Sequence, residues 1–255
     1  MERKKTFTEL SEKYSLTDID LTRLKTEFEI TQLKLEFAII KSKTDGISLF
    51  ESVEKYNAFH RYTQKLTQKK KDSLISQITS IDSSRFSDLV ELLFLNSDRT
   101  KGICTHQMDT KCFDYHIWEN ERAFIHFFNA IIPRDPFSER EIPHRKNELR
   151  DIAIDVRDFH PELKNVFSVS WIWNLKKFQL LMPDSFNDSL KVFKDYESYT
   201  QSYWGQFYRY EGTVNQERVE KFRKDWEFPL EPLVGECSID DFMKFYEVRA
   251  RRVSV

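Results

Sequence analysis

Over the first hundred residues the apolar positions recur at helical spacing. Leu21, Leu24, Phe28 and Leu35 mark one face, and Leu33, Phe37 and Ile40 mark a second. A helix apolar on two sides is one packed between neighbours. Thr17-x-x-Asp20 supplies a start of the capping-box kind, and Gly46 supplies the stop. Ser48-x-x-Glu51 opens a second helix with the stripe Leu49, Val53, Tyr56, Phe59, Tyr62 and Leu66. Leu74, Ile75 and Ile78 predict a continuation or a third short helix. Phe86 to Leu95 is a dense apolar run that periodicity alone does not assign.

Beyond residue 110 the period changes. Phe113-Asp-Tyr-His-Ile-Trp alternates as a strand does. Glu119 to Arg122 is polar enough to turn, and Ala123 to Ile132 is a heavily apolar second strand. Pro133-Arg-Asp-Pro cannot continue a central strand, because each proline lacks a ladder donor. A helix follows with Leu149, Ile152, Ala153, Val156 and Phe159 as its stripe, closed by Pro161. Asn165 to Trp171 reads as a strand, Asn174 to Leu181 as a short helix stopped by Pro183, and Leu190 to Phe193 as another strand. Asn215 to Trp226 reads as a helix, and Ser238-x-x-Asp241 caps the last one. No internal repeat is evident. The order predicts an α+β fold with a helical region over 1–100, a mixed α/β sheet domain over 101–235 and a C-terminal helix over 236–255.

Composition narrows the function classes. The chain of 255 residues is 40% hydrophobic and 32% charged, the balance of a soluble globular protein. Aromatics reach 15%, with 22 Phe, 10 Tyr and 5 Trp. Only 5 glycines argue against loops that cradle phosphate by close backbone approach. A net charge of −2 gives no electrostatic ground for nucleic acid or an acidic membrane as the main partner. Arg61, Lys65, Lys69, Lys70 and Lys71 form a basic stretch, read first as a solvated helix end and second as a contact for an anionic partner such as RNA. No apolar run reaches the length of a membrane span, and Met1-Glu-Arg-Lys-Lys lacks the apolar core of a signal peptide behind it. Three cysteines cannot pair completely, so a reducing, cytoplasmic setting is expected.

Several residues carry candidate chemistry. Cys104, His106, Cys112 and His116 are zinc-ligating types, but their spacing is not a usual finger pattern and no metal is expected. His126 lies within an apolar strand. It is either a hydrogen-bonded core residue or, if it faces Asp114 or Tyr115, a base oriented by a partner. Cys237 has no neighbouring cation to activate it. Trp171, Trp173, Trp204 and Trp226 are read as core filler, or as the lining of an acyl or planar-ligand channel with Asn174 and Gln206 as its polar groups. Nothing matches a nucleophile elbow, a Walker loop, a dinucleotide fingerprint or a kinase signature.

The run from His126 to about Trp226 resembles a family of largely uncharacterised bacterial proteins. The residues that carry the resemblance are His126, Phe127 and Asn129; Pro136 and Phe137; His160 and Pro161; Ser170, Trp171, Asn174, Leu175, Phe178 and Pro183; and Trp204, Gly205, Gln206 and Phe207. Trp173 and Met182 depart from the usual Tyr and Phe. The resemblance covers about two-fifths of the chain and brings no established activity.

The order of elements also resembles that of GNAT-type N-acyltransferases and their acyl-carrier-using relatives: strand, phosphate-facing loop, helix, strand, then a short helix that often begins with Asn. Ala123–Ile132, Pro133–Ser138, the helix to Phe159, Val166–Trp171 and Asn174–Phe178 fill those places. The resemblance implies a cofactor, coenzyme A or an acyl-carrier thioester, with its pyrophosphate at the helix N-terminus after Pro136. It implies cofactor contacts at Arg134, Ser138, Trp171 and Trp173, and catalytic roles for His126 as base and for Asn174. The family's Gly-rich loop is replaced here by Pro133-Arg-Asp-Pro. The competing expectation is a non-enzymatic interaction protein on a degenerate GNAT-like scaffold, binding a protein partner or a second copy through the N-terminal helices.

Overall fold

The computed structural model describes residues 2–56, 67–79, 86–104, 111–118, 121–194 and 201–248. The chain divides into two compact units, one of residues 1–108 with 195–229 and one of 109–194 with 230–255.

The first unit is helical. It opens with α1 (Glu2–Tyr14) and α2 (Asp18–Asp45). Thr17 and Asp20 cap α2 reciprocally, each side chain accepting the other's backbone N–H at 3.1 and 3.2 Å. Gly46 ends it in the left-handed conformation at φ 67°, where a Cβ would be strained. Ser48 and Glu51 repeat the reciprocal cap ahead of α3 (Leu49–Tyr56). The helices α4 (Gln68–Thr79), α5 (Phe86–Asn96) and α6 (Asp98–Cys104) follow. The unassigned run Phe86–Leu95 is thus helical, and its buried Leu89, Val90, Leu93 and Phe94 fall on one stripe.

Both apolar faces of α2 are covered, as two-sided patterning requires: Leu24, Phe28, Leu33, Leu35 and Phe37 are all buried. Phe37 lies at the centre of a ring cluster with Tyr56, Trp204, Phe222 and Phe228, at centroid distances of 5.2 to 5.8 Å. Of the predicted second stripe, Phe59, Tyr62 and Leu66 lie outside the described residues.

The second unit is a five-stranded mixed sheet with helices packed on one face. Its elements are β1 (Phe113–Trp118), β2 (Arg122–Phe127), α7 (Ile142–Phe159) and β3 (Asn165–Ser170). A 3₁₀ turn (Trp171–Asn174) leads to the short helices α8 (Lys176–Gln179) and α9 (Asp184–Asp188), then β4 (Lys191–Val192). The chain completes the first unit with α10 (Gln201–Trp204) and α11 (Gln216–Asp225), then returns for β5 (Leu233–Ser238) and α12 (Ile239–Phe245). The strand order is β1-β2-β3-β5-β4; only β2 and β3 run parallel, joined by the crossover helix α7. Phe113, Ala123, Ile125, Val166 and Cys237 bury one face of the sheet in a core with Leu149, Ala153 and Val156 of α7, Phe186 of α9 and Phe242 of α12.

The fold is α+β, as the order of elements predicts, and several local readings are corrected. The second strand stops at Phe127 rather than Ile132. Its partner β1 begins at Phe113, so after the Phe128 N–H bonds the Cys112 carbonyl at 2.8 Å no ladder remains to extend. Phe159 is 71% exposed at the end of α7 and leaves the stripe, while Leu149, Ile152, Ala153 and Val156 are buried. Pro183 starts α9 rather than only ending the helix before it.

The strand β5 had no clear signal in the sequence. Gly235 is required there, because a Cβ would lie 2.5 Å from the Phe186 ring. The units also depart from the expected division: 195–229 belongs with the helices, and 236–255 belongs with the sheet. Among the described residues, no helix is long and apolar enough to cross a membrane.

Candidate functional site

The parallel strands β2 and β3 pair only at Arg122–Asn165, Ala123–Val166 and Phe124–Phe167. Beyond that point each keeps only its outer partner, β2 with β1 through Phe127 and β3 with β5 through Ser170. The segments Ile125–Phe127 and Ser168–Ser170 therefore share no ladder. A side chain takes over where the ladder stops. The buried Ser168 Oγ donates to the Ile125 carbonyl at 2.8 Å and accepts the Trp173 indole N–H at 3.2 Å. Trp173 is fully buried, and its N–H finds the partner that a buried indole needs. Phe127, Phe137 and Phe178 pack beside this point at centroid distances of 3.6 to 5.1 Å.

The loop between β2 and α7 is built around charge. Arg134 donates to the buried Glu141 carboxylate at 2.7 Å. Arg145, also buried, pairs with Glu148 at 3.1 Å and donates to Cys112 Sγ. Glu148 in turn accepts the backbone N–H groups of Cys112 and Phe113, both at 3.2 Å. This network ties the start of β1 to the first turns of α7. Burial pushes the Cys112 thiol up, although Arg145 opposes the shift. The helix does not begin after Pro136. It begins at Ile142 behind Glu141, and the Ser138 carbonyl accepts the N–H groups of Glu141 and Ile142. A pyrophosphate at this terminus would meet a carboxylate, and Arg134 already has one, so the expected phosphate roles of Arg134 and Ser138 do not fit this geometry.

The face of the sheet away from these helices is aromatic. His116 and Trp118 on β1, Phe124 and His126 on β2, Phe128 beyond it and Phe167 on β3 form a run of ring contacts. The Arg122 guanidinium lies 4.6 Å from the Phe167 ring centroid. Trp118 at 45%, Phe128 at 39% and His116 are exposed. His126 is half-buried rather than a core residue. Asp114 is its cross-strand neighbour, but its ring partner is His116: the imidazoles lie nearly parallel and meet edge to edge, their centroids 4.7 Å apart at 16°, with His126 Nε2 2.6 Å from His116 Nδ1. Tyr115 points the other way and bonds Asp155, which with burial holds its hydroxyl well above the ordinary range.

Asn174 Nδ2 donates to the Trp171 carbonyl at 2.9 Å and to the Glu231 carbonyl at 2.8 Å, fastening the 3₁₀ turn to the segment before β5. The four tryptophans are shared between the two units. Trp171 and Trp173 belong to the sheet unit, whereas Trp204, Trp226 and the buried Gln206 belong to the helical unit. Cys104 closes α6, Cys112 is bound by Arg145, His116 contacts His126, and His106 lies outside the described residues. Among the described residues no group of three or more His, Cys, Asp or Glu side chains is placed to hold a metal ion.

Of the basic stretch, Lys69 and Lys70 are exposed on α4, and Arg61 and Lys65 lie outside the described residues. Sequence reasoning missed Ser168, Glu141 and the pairing of His116 with His126. The hairpin's alternation places both histidines on one face, and that was the available signal for the last. Comparison with protein-family models, curated proteins and solved structures gave no match.

Proposed function

We propose that the sheet unit is an acyltransferase-like module that recognises an acyl group held as a thioester on coenzyme A or an acyl carrier. The observation that carries this reading is the parting of β2 and β3 after three residue pairs. Two strand edges that face one another without a ladder can accept an extended chain between them, and a pantetheine arm brings amides of its own to bond such edges. The connectivity gives further support: β2, the loop to Glu141, α7, β3 and a turn held by Asn174 follow the order of the N-acyltransferase core that the sequence resembles.

In this reading the acceptor amine approaches from the open aromatic face. Its nitrogen attacks the thioester carbonyl and His126 takes the amine proton; the C–S bond then breaks and the thiolate leaves, protonated by the His126 imidazolium, while a strand N–H stabilises the oxyanion. The contact with His116 Nδ1 orients the His126 ring for that role.

A second reading, a non-enzymatic interaction protein on a degenerate scaffold, is favoured by Glu141 at the start of α7 and by the rings of Phe127, Phe137 and Phe178 beside the parted strands. There the helical unit would supply the contact with a protein partner or a second copy. A thiol-release assay with acyl-coenzyme A and a panel of amines separates the two. Release that depends on amine and falls at least tenfold in His126→Gln supports transfer; no release above the uncatalysed rate supports the interaction protein.

A further inference from the structure

We propose that His116 and His126 form a binding site for a divalent transition-metal ion on the open face of the sheet. The two ring nitrogens lie 2.6 Å apart, joined by one shared proton. An ion bound at about 2.0–2.1 Å to each of two imidazoles sets them about 3 Å apart when they occupy cis positions of a square plane. A few tenths of an ångström of opening, with each ring turned so that its lone pair points at the ion, converts the hydrogen bond into a chelate. The ion takes the place of the shared proton, and the ring that donated it tautomerises to carry its N–H on the other nitrogen, so both ligands are neutral imidazoles.

The site is preorganised by its neighbours. Phe124 packs on both rings, at 5.1 Å from His116 and 4.3 Å from His126, and Trp118 and Phe128 flank the pair at 5.9 and 6.0 Å. The antiparallel register holds the two strands at fixed separation beneath them, with Phe124 opposite His116 and Asp114 opposite His126. Side chains held by packing lose little freedom on ligating an ion, which is what a two-residue site needs to bind measurably.

Because no third protein ligand of the usual types completes a cluster among the described residues, water fills the other positions. Imidazole ligation, a near-right-angle bite and open water positions favour Cu(II), with Ni(II) and Zn(II) weaker by the usual order of affinities. Ion binding would occupy His126, the base of the proposed transfer, so the two uses of this residue exclude one another; the readout here is ion binding alone.

The test is calorimetric titration of the full chain with CuCl2, followed by electron paramagnetic resonance of the 1:1 sample. One ion per chain and nitrogen couplings from two imidazoles are expected. His116→Gln and His126→Gln should each weaken binding at least tenfold, and the double variant should abolish it. His116 is exposed and His126 half-buried, and a thermal melt of each variant verifies its fold. No saturable uptake in the unaltered chain, or equal uptake by the double variant, would overturn the proposal.

Discussion

Trp173 donates its indole N–H to Ser168 Oγ across 3.2 Å, and the same hydroxyl reaches over to the Ile125 carbonyl at 2.8 Å. A side chain thus bridges β2 and β3 where their backbones cease to pair, and it does so inside the core. Ser168→Ala would leave both the indole donor and the carbonyl acceptor without this partner. An unsatisfied buried group costs about 1–3 kcal/mol, so the variant should lose stability in that range. Denaturant titration checks it. A loss below about 0.5 kcal/mol would mean that water replaces the hydroxyl freely.

In the helical unit Glu27 is 2% exposed and accepts from Tyr208 Oη at 2.6 Å and from Arg99 Nε at 3.1 Å. The Arg99 guanidinium also lies over the Tyr208 ring at 4.2 Å. Removing one partner of a buried pair costs roughly 3–5 kcal/mol. The Arg99 side chain is about a third exposed, and that solvent screening lowers the expectation for Glu27→Gln to about 2–3 kcal/mol. A double-mutant cycle with Arg99→Leu isolates the pair.

Gly235→Ala should be destabilising by about 1–3 kcal/mol, the usual range for overpacking a core. The new methyl would meet Phe186 at 2.5 Å and Leu190 at 2.9 Å. Thermal melts check this, and Phe186→Leu in the same chain should recover part of the loss.

Burial raises all three thiols, and Cys237 is pushed up to about 12 with Asp241 and Glu236 adding to the shift. A thiol held neutral in the fold contributes stability that is fully present below the unfolded value of about 8.5. That contribution is lost as pH rises toward 12 through the folded value. Stability should therefore fall progressively above about pH 8.5, and less so in Cys237→Ala. At pH 8 all three cysteines should resist a disulfide reagent until the chain is unfolded, because none is exposed.

Local signals in the sequence were enough for most of the helices. The reciprocal caps at Thr17 and Ser48, the stop at Gly46 and the Ser238 cap each act within four residues, and each forms as written. What could not be read is set by long-range pairing. β2 ends at Phe127 because β1 offers nothing further, and β5 depends on packing Gly235 against a helix 49 residues earlier in the chain.

The same limit applies to the site. His126 was singled out from its own segment, yet its partner His116 lies across a hairpin. Asn174 is a polar residue at a suggestive position, but its neighbour Glu231 comes from 57 residues further along the chain and engages it in the fold. A single residue's chemistry can be read locally, whereas its availability depends on what tertiary structure brings to it.

The central claim is that the parted strands accept an acyl thioester arm. The most direct measurement is a thermal-shift titration of the chain with acyl-coenzyme A and, in parallel, acyl-pantetheine without the nucleotide. Ligand at about a hundred times its dissociation constant should stabilise by about 2.7 kcal/mol and raise the melting temperature by a few degrees. Glu141 at the start of α7 predicts that acyl-pantetheine retains most of the effect. The absence of any shift with either compound at millimolar concentration would contradict the account and leave the sheet unit as an interaction scaffold.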